Sequence, residues 1–421
     1  MTSVVLLLAG VAIVAAALAS VTLMLVDSLR RQSHETRRRT LARELLQHQV
    51  DAALAGRRVK EQQARFAWDG YRKFEVQRKV LEAADTCSFH FVPHDGGALP
   101  PFEPGQFLTF RLRIPGQSRP TIRCYSLSDC YRPSAPAVYR TTIKRVPPPR
   151  DQKDAPPGLA SSFFHDSVNE GDIIDVKAPS GKFVLDVDRD HPIVLIGGGV
   201  GVTPVLAMLN AVAQSGSSRE VWFYYGVRNA KEHVMREHLE TIAREHPNIH
   251  VRVCYSDPGP DDVEGRHYQH AGRVTIDLLR DDLASSNYEF YVCGPPPMMK
   301  ALQEGLARWK VPKDRIKSEA FGAASLKPTA KKSTSTPAVG VLFSRSGKKC
   351  TWQSTDGVLL ELAERQGVAI ESGCRAGDCG TCLVAVRKGQ FEYLKEPGFK
   401  HEQGSCLTCI AVPTQDLEID A

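Results

Sequence analysis

Three cysteines fall within nine residues of the segment ESGCRAGDCGTC (371–382), spaced Cys374-x4-Cys379-x2-Cys382, and SCLTC adds Cys406 and Cys409 downstream. Thiolates are soft ligands. Three on one loop, with a fourth far along the chain, is the spacing of a plant-type [2Fe–2S] centre. A structural zinc site draws its ligands from two separated pairs, and a redox dithiol needs only two sulfurs. Gly377 and Gly380 let the loop wrap closely, so that main-chain N–H groups face the sulfurs. Cys406 and Cys409 compete for the fourth position. Cys87, Cys124, Cys130, Cys254 and Cys350 read as packed thiols.

Four further stretches carry chemistry suited to nucleotides. GGGVGVTP (197–204) lies where an apolar strand meets a helix. Glycines there let the main chain approach a pyrophosphate, and the helix N-terminus offers free N–H groups and partial positive charge. It departs from the GxGxxG fingerprint, and such turns also serve tight packing alone. YVCGPPPMM (291–299) places Cys293, Gly294 and Pro295 at a strand tip, on the edge where open α/β sheets bind ligands. RCYSLSD (123–129) offers Arg123 for a phosphate, Tyr125 for stacking and the Ser126 hydroxyl, a set that suits a flavin nucleotide. In GLASSFFHD (158–166), Gly158, Ala160, Ser161 and Ser162 start a short helix facing phosphate, or simply cap it.

The elements that must position these residues change character along the chain. From 66 to 190 short alternating runs such as KFEVQRKVLEA, GQFLTFRLRI and VYRTTIKRV are broken by Pro and Gly, which predicts a small antiparallel barrel. From 191 to 322 apolar strands alternate with helices, the pattern of a parallel doubly wound sheet. Residues 323–337 have linker composition, and 338–421 form a last small domain that carries the cysteines.

The net charge of +6 comes from one stretch: Asp27–Val80 holds 14 Lys+Arg against 7 Asp+Glu. No nucleic-acid-reading motif accompanies it, so nucleic acid is not an expected partner. Eleven cysteines without a paired framework point to a reducing compartment. Ser3–Val26 is 24 residues without a charge, long enough to cross a bilayer core of about 30 Å. Arg30, Arg31, Arg37, Arg38 and Arg39 follow it. The expectation is an uncleaved single-pass transmembrane helix (1–26), a basic helical stalk (27–65), and soluble domains in the cytoplasm.

Taken together, RCYSLS, GGGVGVTP, YVCGPPPMM and SEAFG (318–322) resemble, in order and spacing, the ferredoxin–NADP reductase superfamily. The arrangement resembles the phthalate dioxygenase reductase type, in which a ferredoxin domain comes last. The resemblance implies an antiparallel β-barrel flavin domain, an α/β doubly wound NAD(P) domain and a β-grasp [2Fe–2S] domain. It further implies that Arg123, Tyr125, Ser126, Thr142, Ile143, Lys144, Gly158 and Ser161 contact the flavin. Gly198, Gly199, Gly201, Thr203 and Pro204 would form the nicotinamide nucleotide's pyrophosphate loop, and Cys293, Gly294 and Pro295 its nicotinamide-side tip. Glu319 and Phe321 would cover the flavin ring. The last ligand in such ferredoxins is the Cys of an LTC triplet, which favours Cys409.

There are departures. The phthalate type binds FMN, whereas the longer GLASS turn leans to FAD, and the phthalate type lacks an anchor. Membrane-anchored sodium-pumping NADH:quinone reductase subunits place their ferredoxin domain first. Arg228 and Lys231 precede Glu232 after the second strand of the nucleotide domain, which leaves both NADH and NADPH open. The expected function is an NAD(P)H-dependent reductase that passes hydride electrons through flavin to the cluster and on to an oxygenase, a cytochrome or a similar protein acceptor. Tyr125, Cys293, Glu319 and Phe321 would act at the flavin. A membrane NADH:quinone dehydrogenase and a redox-sensing module are the alternatives. The last domain carries 9 Lys+Arg and 11 Asp+Glu, mildly acidic as a donor docking on a basic partner would be.

Overall fold

The computed structural model describes residues 66–132, 138–148, 154–321 and 338–421, together with scattered helical positions between 18 and 61. Most of the anchor and stalk, and the linker 323–337, lie outside the described residues. Among the described residues no helix is long and apolar enough to cross a membrane. Residues 65–421 form one compact unit and residues 1–64 another.

The barrel is built from β1 (Arg72–Ala83), β2 (Thr86–Pro93), β3 (Phe107–Leu112), β4 (Thr121–Ser126), β5 (Tyr139–Lys144) and β6 (Ile173–Ser180), with helix α1 (Leu159–Asp166) before the last strand. The strand order is β4-β3-β6-β1-β2-β5. An isolated bridge from Leu127 to Thr141 joins the two edges, so the sheet closes on itself. Closure needs a bent strand. β1 provides it with irregularities at Val76/Arg78 and Leu81/Ala83, where extra residues add twist. Inward alternation puts Phe74, Phe89, Phe91 and Phe110 in a closed aromatic core, which Phe164 of α1 completes.

The second sheet contains β7 (Ile193–Gly198), β8 (Val221–Val227), β9 (Ile249–Tyr255), β10 (His270–Ala271), β11 (Glu289–Cys293) and β12 (Ile316–Glu319), in the order β10-β9-β8-β7-β11-β12. All its pairings are parallel. β7, with sequence IVLIGG, is buried throughout because helices cover both faces. Those helices are α2 (Val202–Ser215), α3 (Arg236–Glu245), α4 (Ile276–Asp282) and α5 (Pro296–Arg308). The order reverses between β7 and β11, which opens a crevice at their C-terminal ends. Barrel and sheet are tied by Lys144, which reaches Glu232 at 2.9 Å and Asp85 at 3.3 Å. Asn210 Nδ2 adds a hydrogen bond to Asp129 at 2.9 Å.

The last domain has β13 (Val339–Phe343), β14 (Lys348–Trp352), helix α6 (Leu359–Arg365), β15 (Leu383–Lys388), β16 (Phe391–Tyr393), β17 (Ser405–Leu407), β18 (Ala411–Pro413) and β19 (Leu417–Ile419). A mixed sheet of order β14-β13-β19-β15-β17, with β13 and β19 parallel and α6 packed beside it, is a β-grasp arrangement. Between α6 and β15 the chain runs without regular structure through the cysteine loop.

Candidate functional site

A cavity of about 1210 Å³ lies where the three domains meet. β4 contributes Arg123, Cys124 and Ser126, and the end of β12 contributes Glu319 and Phe321. The cysteine loop contributes Gly373, Cys374, Arg375 and Asp378. Motifs separated by some 250 residues therefore line one space. Lys182, Phe183, Lys317 and Lys395 also line it. Sequence reasoning missed these. The only trace of Lys182 is the SGK turn after β6, and nothing local marks Lys317 or Lys395.

The cysteine loop is held open for sulfur. Gly377 and Gly380 take φ of +75° and +68°, where a side chain is strained, and Arg375 takes +54°. That geometry turns main-chain donors inward. The N–H groups of Ala376 and Asp378 each donate to Cys374 Sγ at 3.3 Å, and the Cys374 N–H donates to Cys379 Sγ at 3.3 Å. The Gly377 N–H serves Cys409. Among the described residues, no three His, Cys, Asp or Glu converge as one metal ion requires. The cysteines pair instead, Cys374 with Cys379 and Cys382 with Cys409. Two pairs of sulfurs suit two irons with two thiolates each, not a single tetrahedral ion. Donors from Cys124, Cys374 and the main chain hold the Cys379 thiol far below its ordinary range. Cys406 lies in the domain core, where burial pushes its thiol up to about 12.

The flavin-motif residues divide. Arg123 is exposed on β4 and donates to the Ile122 carbonyl at 2.7 Å. Tyr125 does not line the cavity; its ring meets Phe164 edge-on at 5.4 Å and Phe110 at 5.9 Å. Thr142 is buried in a hydroxyl chain with Ser88 and Ser128, 2.8 Å to each. Ile143 is fully buried, and Lys144 is engaged by its two carboxylates. The side chains of Thr142, Ile143 and Lys144 therefore serve the barrel and its junction, not the cavity. Ser161 Oγ donates to the Gly158 carbonyl at 2.9 Å and accepts the Val146 N–H at 3.1 Å, which closes the start of α1.

In the crevice the glycine turn meets the β11 tip. A Cβ on Gly201 would lie 2.5 Å from the Cys293 carbonyl oxygen, and one on Gly198 would lie 2.7 Å from Met298 Sδ and 2.9 Å from Pro295 Cδ. Gly294 leaves a Cβ no more room, 2.4 Å from Met298 Cε. Gly199 takes φ +54° with open space around it. Thr203 Oγ1 donates to the Val200 carbonyl at 3.0 Å, and Pro204 sits in the first turn of α2. Arg228, just after β8, pairs with Glu232 at 3.4 Å.

Cys293 is fully buried between Gly197 of β7 and Glu319 of β12, with which it is in register. Burial, with Glu319 adding, pushes its thiol well up. Glu319 Oε2 is buried without a hydrogen-bond partner among the described residues. Burial, reinforced by Asp378 and opposed by Lys395, pushes its carboxyl up to about 8. The folded chain then keeps a proton that the unfolded chain loses above about 4.5, so this group's contribution to stability falls as pH rises from about 4.5 to about 8. We expect Glu319→Gln to melt with the native chain at pH 4 and at a higher temperature at pH 8, read by scanning calorimetry at both pH values. Phe321, 40% exposed, stands at the cavity wall.

Two family models match the chain, an oxidoreductase NAD-binding domain over residues 195–304 and a 2Fe-2S iron-sulfur cluster binding domain over residues 343–414. A flavohemoprotein of Halalkalibacterium halodurans is 38% identical over 262 residues, 62% of each chain. One from Deinococcus radiodurans is 41% identical over 255 residues, 61% of this chain and 60% of its own. The chain thus spans about three-fifths of the length of these curated relatives. The FAD/NAD-binding domain of a Vibrio cholerae nitric oxide dioxygenase matches at 34% identity and TM-score 0.53, covering 60% of this chain and 99% of its own. Phthalate dioxygenase reductase matches at 25% identity and TM-score 0.52, covering 84% of this chain and 98% of its own. That match takes in most of this chain, and the chain belongs to the ferredoxin–NADP reductase superfamily, as an oxidoreductase with a C-terminal ferredoxin domain.

Proposed function

We propose that this protein is an NAD(P)H-dependent electron-transfer reductase that serves a protein acceptor such as an oxygenase or a cytochrome. The observation that carries the reading is the single cavity shared by Arg123 and Ser126, by Glu319 and Phe321, and by Cys374. FAD bound there would take two electrons as hydride and release them singly to a [2Fe–2S] cluster, which carries one at a time. Arg123 would hold the flavin phosphate side, and Ser126 a ring-side polar atom. Phe321 would shield the ring, and the neutral Glu319 carboxyl would present a donor at the cavity wall. Gly198, Gly199, Gly201, Thr203 and Pro204 would admit the nucleotide pyrophosphate to the α2 N-terminus, with Cys293, Gly294 and Pro295 on the nicotinamide side. Cys374, Cys379, Cys382 and Cys409 would hold the cluster beside the cavity. FAD is favoured over FMN by the likeness of barrel and sheet to an FAD/NAD-binding domain.

Anaerobic mixing with NADH, followed at flavin and cluster wavelengths, tests the relay. Flavin bleaching should precede the reduced-cluster signal within one turnover. Bleaching with no cluster reduction would remove the reading.

NADH is the expected donor. The Glu232 carboxylate already takes Arg228 on one oxygen and Lys144 on the other. A 2′-phosphate recruited by Arg228 would have to break that pair beside an acid. Exposed pairs are worth up to about 1 kcal/mol, so kcat/KM for NADH should exceed that for NADPH by about fivefold. Glu232→Gln should narrow the ratio; equal values in the native chain would contradict this assignment.

The reading extends to a membrane-tethered enzyme. Ser3–Val26 carries no charge and five arginines follow by residue 39. Leu18, Val21, Met24 and Leu25 are all more than half exposed, as side chains facing lipid would be. The soluble domains would then lie on the cytoplasmic side.

A further inference from the structure

Cys124 stands between Arg123 and Ser126 on the strand that faces the flavin cavity, yet its thiol points to the cysteine loop. It hydrogen-bonds the sulfur of Cys379 across the boundary between barrel and ferredoxin domain. The two sulfurs converge above Gly373. A Cβ built there would lie 3.0 Å from Cys379 Sγ and 3.3 Å from Cys124 Sγ, so the glycine before Cys374 makes room for the contact. Behind Cys124, Thr109 Oγ1 lies 3.3 Å from its sulfur, and Thr109 and Cys124 are register partners on β3 and β4. Cys124 is thus not a packed thiol of the barrel core.

The seam around it is polar and fixed. Lys177 Nζ donates to Thr381 Oγ1 at 3.3 Å, and Lys182 Nζ donates to the Pro397 carbonyl at 2.8 Å. Thr381 Oγ1 in turn lies 3.3 Å from Cys379 Sγ. The loop is therefore seated on the barrel at Cys379.

We propose that Cys124 is a positioning residue that donates an S–H hydrogen bond to the Cys379 thiolate, and that this bond raises the reduction potential of the cluster and seats its loop on the flavin strand. The inference rests on the four-cysteine cluster assigned above. A ligand thiolate that accepts a hydrogen bond holds less charge, so the added electron is better accommodated. S–H is a weak donor in isolation. With the Thr109 hydroxyl as the donor in its 3.3 Å contact with Cys124 Sγ the bond is strengthened, because each bond in a chain polarises the next. The direction is useful for a relay. The flavin strand itself would bias the cluster toward accepting an electron, through a contact one residue from Arg123 and one from Tyr125.

The test uses the full-length holoprotein and dithionite titration of the cluster with redox mediators, followed by its reduced-state paramagnetic signal. Dithionite reaches the cluster directly, so failure of the NADH relay and failure of this inference remain distinguishable. Cys124→Ala removes the donor and should lower the cluster potential, cutting the equilibrium for its reduction by about tenfold, ~59 mV for a one-electron couple. Cys124→Ser keeps a donor and should stay near the native value. Thr109→Val, which leaves Cys124 in place, should shift the potential the same way by less. An unchanged potential in Cys124→Ala, or equal shifts in Cys124→Ala and Cys124→Ser, overturns the proposal. If Cys124→Ala does not retain its cluster, Thr109→Val decides, and the absence of a downward shift there overturns it.

Discussion

Cys409→Ser should abolish the reduced-cluster signal while NADH still bleaches the flavin, and Cys406→Ser should keep both. The sequence leaves these two cysteines three residues apart in SCLTC. The fold separates them. Cys409 meets Cys382 and takes the Gly377 N–H, so its loss leaves one of the two sulfur pairs with a single member. Cys406 is on β17, paired with Val384 of β15, and its side chain is buried in the core of the last domain. Replacing it with serine buries a hydroxyl where a thiol sat, at a cost of about 1–3 kcal/mol in stability, without removing a ligand. Visible absorbance and paramagnetic resonance on the purified variants decide the matter. A cluster that survives Cys409→Ser, or fails in Cys406→Ser at unchanged folding, would reverse the assignment.

Gly201→Ala should cut flavin reduction by NADH by about a hundredfold or more, while dithionite still reduces flavin and cluster. Gly201 has ordinary right-handed angles, φ −64° and ψ −5°, so its need is space and not conformational freedom. The neighbours of an added Cβ are the Cys293 carbonyl oxygen at 2.5 Å, its carbon at 2.6 Å and Gly294 Cα at 2.7 Å. All are main chain, which cannot swing aside as a side chain does. Either the glycine turn or the β11 tip must move, and these are the two walls of the crevice we propose for the nucleotide. A misplacement of about 1 Å at a hydride-transfer site costs on the order of a hundredfold, and overpacking adds about 1–3 kcal/mol of instability. Rapid mixing with NADH against dithionite controls separates the two effects. Gly199→Ala is the contrast, because open space surrounds that position and only its positive φ resists substitution.

Much of the architecture is legible in the sequence alone. Alternation marks the barrel strands, because one face of each is buried and the other is not. The switch to apolar strands and helices after Pro192 marks a sheet covered on both faces. The cysteine spacing is equally direct, since a loop wrapped around sulfur needs its ligands close and its glycines at fixed places. Chemistry carried by side chains across domains is harder to read. Thr142 and Lys144 match a flavin-contacting strand by motif, but their side chains are committed to a hydroxyl chain and an ion-pair junction. Cys124 reads as filler because its partner lies 255 residues away in sequence. Lys317 and Lys395 carry no local signal at all.

By itself the sequence determined the order of domains, the sulfur loop, the glycine turn and the long uncharged N-terminal stretch. Each follows from local rules: periodicity, ligand spacing, main-chain crowding and hydropathy. Only the tertiary structure decided which cysteine pairs with which, that one oxygen of Glu319 is buried without a partner, and that β4 touches the cysteine loop. Those facts depend on desolvation and on contacts between distant segments, which are properties of the packed chain and have no signature in any single stretch of it.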